Sequence, residues 1–200
     1  MPFFSKDFTA AIAPKESTGG GYLNPSSIED GASVRFCILS EEPLEGVEVW
    51  FTKAAGGMTK RITPSWPDPA LIADLERQVG GTLHERDGRP AIKTCISFFV
   101  YDFDASEVKV FSANQKTLLQ DIGRLTSDED YADLSQWDLK LSRTGKGTDT
   151  KYFVSMVPTK RSNSAVAKAV IEAWDKACQG GANLDALLEG GNPFTGKAAI

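Results

Sequence analysis

The sequence predicts a mainly β domain with added helices, and three observations lead there. In 92–101 the residues alternate: Ile92, Thr94, Ile96, Phe98 and Val100 share one face, and Lys93, Cys95, Ser97, Phe99 and Tyr101 the other. Strand-like WDLKLSR and KYFVSMV flank TGKGTDT, a turn with two glycines and a lysine at its tip. Upstream, RFCIL and VEVWFTKA read as two further short strands around the turn EEPLEG.

Taken in order, residues 1–21 read as a flexible N-terminal arm ending in a Gly run, with Phe3, Phe4 and Phe8 free to pack on their own domain or on a neighbouring subunit. Residues 22–161 form the main domain. In the first strand Val34, Phe36 and Ile38 oppose Arg35 and Cys37; in the second, Val47, Val49 and Phe51 oppose Glu48, Trp50 and Thr52. An insertion spans about 53–90. There Trp66 sits among Pro64, Pro67 and Pro69 on a stiff loop, and Asp68 and Pro69 start a helix PALIADLERQV that Gly80 and Gly81 stop. QKTLLQDIGRL is a short helix before the acidic turn with Asp128, Glu129, Asp130 and Asp133. Residues 162–200 are a C-terminal helix, about Ser164 to Gln179, and a loose tail. Val166, Val170, Ile171, Trp174 and Cys178 make its apolar stripe.

The chain of 200 residues carries 27 acidic and 22 basic side chains, a formal charge of −5. Overall acidity argues against a dedicated nucleic-acid binder, but the distribution argues the other way. Between Trp137 and Arg161 stand Lys140, Arg143, Lys146, Lys151, Lys160 and Arg161 against Asp138 and Asp149 alone. Cys37, Cys95 and Cys178 are widely spaced and without a CxxC, so they read as reduced, mostly buried thiols. With His84 the single histidine, no spacing supports a metal site. The sequence shows no transmembrane-length apolar run and no signal-peptide pattern, so no membrane is expected.

Outward aromatics beside lysines suit single-stranded nucleic acid, where bases stack and the backbone is neutralised. The candidate phosphate contacts are Arg35, Lys53, Lys60, Arg61, Lys93, Lys109, Arg143, Lys146 and Lys151; the candidate stacking faces are Trp50, Trp66, Phe99, Tyr101, Phe111, Tyr152 and Phe153. Tyr152 and Phe153 point to opposite faces of one strand, and the sequence leaves open which is outward. Asp102 with Asp104, or the acidic turn, offers a magnesium site for a nuclease, yet no G-x-S-x-G, P-loop or HExxH occurs. No enzyme and no cofactor is expected.

The order VYDF, EVKVF, QKTLLQDI, WDLKLSRTGKGTDTKYFVSMVP resembles the single-stranded DNA-binding proteins of tailed bacteriophages, helix-destabilising proteins built on an OB-fold. The resemblance covers about Leu23–Leu39 and Ala91–Pro158. Its most specific part is similar to D-x-x-x-x-R-x-G-x-G-x-x-T-x-Y, met by Asp138, Arg143, Gly145, Gly147, Thr150 and Tyr152. It implies an OB-fold-like antiparallel five-stranded barrel. It also implies a role in phage DNA replication, recombination or repair in the cytoplasm of the infected bacterial host. Partners would be single-stranded DNA and phage replication proteins, with a homodimer or a cooperative assembly on DNA. Two departures stand out. The insertion where many relatives bind zinc has one histidine and no cysteine, and residues 180–200 hold only Asp185 and Glu189 against Lys197. The binding function and fold therefore carry over, and the metal does not. A phage structural or assembly protein is the alternative, and a magnesium-dependent nuclease a further one.

Overall fold

The structure, a computed structural model, describes residues 21–131 and 136–195. The arm expected over 1–21 lies outside them apart from Gly21, as do Asp133 and Lys197. After β1 (Tyr22–Leu23) come β2 (Ser33–Ile38), β3 (Leu44–Lys53) and β4 (Met58–Thr63). Helix α1 (Pro69–Val79) leads to β5 (Gly81–Leu83), then to the ribbon β6 (Glu85–Arg86) and β7 (Arg89–Pro90). The long β8 (Ile92–Asp102) turns into β9 (Glu107–Ala113), and α2 (Lys116–Thr126) leads to β10 (Trp137–Thr144) and β11 (Lys151–Pro158). Helix α3 (Ser164–Gln179) and a 3-10 turn at Leu184–Leu187 follow.

Local chemistry explains the helix ends. Asp68 accepts a hydrogen bond from the Leu71 amide at 2.8 Å ahead of Pro69, and Gly80 closes α1 with φ 63°. Asn163 caps α3 through the amides of Ala165 and Val166.

Nine strands share one mixed sheet, with the hydrogen-bonded path β1–β9–β8–β2–β10–β11. The expected five-stranded antiparallel barrel is corrected on two counts. Among the described residues β9 and β11 are not paired, so the path stays open, and β1 runs parallel to β9. The added strands come from the insertion. From Val47 on, β3 also pairs with β4 along its other edge, and past its pairing with β8, which ends at Val49, it takes up β5. Reading the insertion as a loop plus one helix missed these strands, because MTKRIT pairs only through its neighbour.

From Cys95 onward both faces of β8 are covered. On one, Phe98 stacks on Phe111 at 4.9 Å, and Phe111 on Phe36 at 5.3 Å, in a core completed by Val100, Leu139, Leu141 and the α2 residues Leu118 and Ile122. Tyr152, Val154 and Met156 of β11 line the same core. On the other face, Phe99 meets Trp174 at 5.2 Å and Phe194 at 5.7 Å, while Tyr101 and Cys37 pack under Val170. The α3 stripe is therefore Val166, Val170, Ala173 and Trp174; Ile171 and Cys178, placed in it from the sequence, are exposed.

The motif residues of β10 and its hairpin hold the fold together. Asp138 is fully buried and accepts from Arg35 at 2.8 and 2.9 Å, from the Thr159 hydroxyl at 2.9 Å and from the Lys160 amide at 2.8 Å. One carboxylate thus joins β2, β10 and the entry to α3. Arg143 donates to the carbonyls of Ser26 (2.8 Å) and Ile28 (2.6 Å), pinning the loop before β2, although its buried Nε has no partner among the described residues. Gly145 has φ 81°, and a Cβ there would lie 2.3 Å from the Asp149 carbonyl oxygen, so the turn excludes any side chain.

Removing Asp138 strands the Arg35 charge, so Asp138→Ala should cost about 3–5 kcal/mol of unfolding free energy. Exposed Lys140→Ala should stay within about 0.5 kcal/mol; urea titration of both variants against the parent checks the contrast. The thiols offer a second test. Burial pushes Cys37 and Cys95 up to about 11. A native sample at pH 8 should therefore expose one fast-reacting thiol, Cys178, to a disulfide reagent, and three in denaturant. Because the unfolded thiols ionise near 9 and the folded ones near 11, their contribution to stability is intact below pH 9 and lost as pH rises toward 11.

Candidate nucleic-acid interface

Alternation places Glu48, Trp50 and Thr52 on one side of β3, as the sequence implied, but the environment of Glu48 is unexpected. Its carboxylate is 2% exposed. Oε1 takes an ion pair from Lys60, and Oε2 accepts from the Asn114 amide at 2.6 Å and the Trp50 indole N–H at 3.3 Å. Register explains the gathering. Lys60 on β4 lies opposite Trp50, Lys93 on β8 lies opposite Glu48, and β9 ends one residue before Asn114. Lys60 also stands 5.8 Å from the centre of the Trp50 ring, within cation–π range. A buried carboxylate thereby fixes an indole, an ammonium and an amide at the edge of the sheet.

Three adjoining clefts open around this cluster, of about 300, 520 and 660 Å³, and Asn114 lines all of them. Trp50 borders two and Lys93 two; Trp66, 62% exposed, borders the third with Lys116. Arg86 and Arg89 flank the middle cleft. Asp87, within ion-pair range of Arg86 at 3.9 Å, is the one other carboxylate on these walls besides Glu48, whose charge Lys60 meets. The groove therefore presents two indoles and several cations with little opposing charge.

The residues singled out in the sequence divide accordingly. Trp50, Lys60, Trp66 and Lys93 come together in the groove. Phe99, Tyr101 and Phe111 are corrected as stacking faces: they are 3%, 6% and 0% exposed, the first two beneath α3 and the tail and the third inside the core. Lys109 is corrected too, being buried and paired with Asp102 at 2.9 Å. That pairing, with the Asp104 and Ala105 amides on Asp102 Oδ1, also takes Asp102 out of the proposed magnesium pair. Arg35 and Arg143 are occupied by Asp138 and by the 26–28 carbonyls, and Arg61 lies against the backbone at Gly190. Lys53, the last residue of β3, is exposed and is not among the described residues that line these clefts.

Lys146 and Lys151 stay exposed at the hairpin, and the open question on β11 resolves: Tyr152 joins the core while Phe153 is 54% exposed. Opposite Phe153 stands Ser142, and Lys140 and Lys151 are exposed on the same outer face. This is a second, smaller aromatic and basic surface. Asn114, Gln115, Lys116, Arg86 and Arg89 were not singled out from the sequence. SANQK carries a legible cue only in hindsight, a polar run at a strand end, since its neighbours on β3 and β4 are more than fifty residues away. Among the described residues no group of three or more His, Cys, Asp or Glu is placed to hold a metal, and no helix is long and apolar enough to cross a membrane.

A larger cavity, about 970 Å³, lies elsewhere, between α3, Tyr22 and Phe194. Among the described residues its wall is mostly apolar, with Glu107 and Lys176 the charged side chains, so it lacks the convergent polar groups of a binding site.

If Glu48 holds the cluster, Glu48→Ala should leave Lys60 and the Trp50 indole unpaired and cost about 3–5 kcal/mol. Tyr152→Ala should cost about 3 kcal/mol or more and Phe153→Ala much less, as their burial dictates. Denaturant titrations check all three.

Compared with protein-family models, curated proteins and solved structures, the chain matches none of them.

Proposed function

We propose that this chain binds single-stranded DNA without strong sequence preference. The observation that carries the proposal is the groove in which Trp50 and Trp66 stand with Lys93 and Lys116, the charge of the buried Glu48 being met by Lys60. Bases can stack on exposed indoles whatever their identity, and lysines along a track meet the phosphates. The strand order lends support. Taken together, β2 and β3 read as one bent strand followed by β8 and β9, with β10 and β11 returning to its other end. We read this as an opened OB-fold, in which α2 packs where β9 and β11 would otherwise meet. The resemblance of the hairpin motif to phage single-stranded DNA-binding proteins favours a place in phage DNA replication, recombination or repair.

Quenching of tryptophan fluorescence by oligo-dT at three salt concentrations tests the reading. Trp137 and Trp174 are engaged with Tyr131 and Phe99, so Trp50 and Trp66 should dominate the signal. Trp66→Ala should weaken binding by about 1–3 kcal/mol. Lys93→Ala should weaken it for all sequences alike and reduce the salt slope by roughly 0.7. Equal affinity for duplex, or a flat salt response, overturns the proposal. Loss confined to Phe153→Ala and Lys151→Ala, with the groove variants unchanged, moves the site to the β10–β11 face.

A further inference from the structure

The geometry points to a pocket beside Trp50 that takes one unstacked nucleobase of the bound strand; this rests on the single-stranded DNA reading and refines it. The 300 Å³ cleft is the most enclosed of the three and lies at the small end of ligand-binding pockets. Trp50 and Tyr22 offer it aromatic surface, and Ile62 and Leu187 an apolar back. A flat, partly apolar ring fits such walls, and a sugar or a phosphate does not.

The polar groups suit the hydrogen-bonding edge of a base. A carboxylate has about four acceptor positions. Glu48 uses three of them, for Lys60, Asn114 and Trp50, leaving one on Oε1. Lys60 keeps two donor hydrogens, and Asn114 keeps its carbonyl oxygen and one amide hydrogen without a partner among the described residues. Every Watson–Crick edge mixes donors and acceptors. A site offering both accepts each base in some orientation, with Asn114 the group able to pair bidentately, best with adenine. A cation for a flanking phosphate is at hand in Lys93, which lines the two adjoining clefts. The pocket would thus fix the register of the strand while reading little sequence.

The test uses the four free deoxynucleoside 5′-monophosphates, with the four tryptophan indole N–H resonances as reporters and Trp50→Phe to assign the relevant one. Each monophosphate should shift the Trp50 resonance saturably, with constants within about tenfold of one another and adenine the tightest, since Asn114 is the one bidentate group in the cleft among the described residues. Ser112→Leu places a side chain in the cleft from β9. It should abolish that shift and weaken oligo-dT binding about tenfold or more, leaving the salt slope unchanged. Asn114→Leu fills the cleft from just past the end of β9 and replaces Ser112→Leu if that variant does not melt cooperatively. Salt-sensitive oligo-dT binding with no monophosphate response, and with filled variants binding like the parent, overturns the pocket and leaves the strand-binding reading standing. Saturable monophosphate binding without oligo-dT binding does the reverse. Failure of both removes both.

Discussion

Burying both faces of β8 divides the molecule into two cores and fixes where a ligand has access. The strand is rich in large apolar residues on either side, and no single layer can cover both. One face needs the strands β2, β9, β10 and β11 with α2; the other needs α3 and the 184–194 segment. Once those layers are in place, β8 from Cys95 onward and the middle of β9 are closed to solvent. What stays open is the margin where β3 outruns β8, and the groove lies there, built on the insertion rather than on the middle of the sheet.

This arrangement explains what the sequence made legible and what it concealed. The bounds of α1 and α3 follow from caps within one or two residues of the helix, and the β10–β11 hairpin follows from its glycines; such local rules are readable in one dimension. Alternation also sorted Phe98 from Phe99 and Tyr152 from Phe153 correctly. It could not say which face meets water, because that depends on Trp174 and Phe194, far along the chain. Phe99 and Tyr101 looked like exposed rings for that reason. In the groove, Trp50, Lys60, Trp66 and Lys93 were identifiable by residue type alone. Asn114 and Arg89 were not, since an amide and a loop arginine acquire meaning only from what they face.

Three carboxylates, Glu48, Asp102 and Asp138, are buried, each against a base: Lys60, Lys109 and Arg35. Pairs of this kind are costly to break, because either partner left alone is an uncompensated charge. Their effect on the surface is equally direct. Asp102 and Lys109 cancel in the interior, and the acidic excess of the chain concentrates away from the groove, in stretches such as Asp128–Asp130. An acidic protein can thereby offer a cationic track.

Residue order along the chain gives the second core a consequence during synthesis. Trp174 leaves the ribosome about 75 residues after Phe99, several seconds at ordinary rates of about 5–20 residues per second. Through that interval the outer side of β8 has none of its eventual cover, and Asp138, which arrives 103 residues after Arg35, has not yet tied β2 to β10. A nascent chain halted before α3 would carry a bare aromatic sheet, a surface that invites self-association or a chaperone. Synthesis of α3 and of the segment reaching Phe194 is thus the step that covers this sticky face.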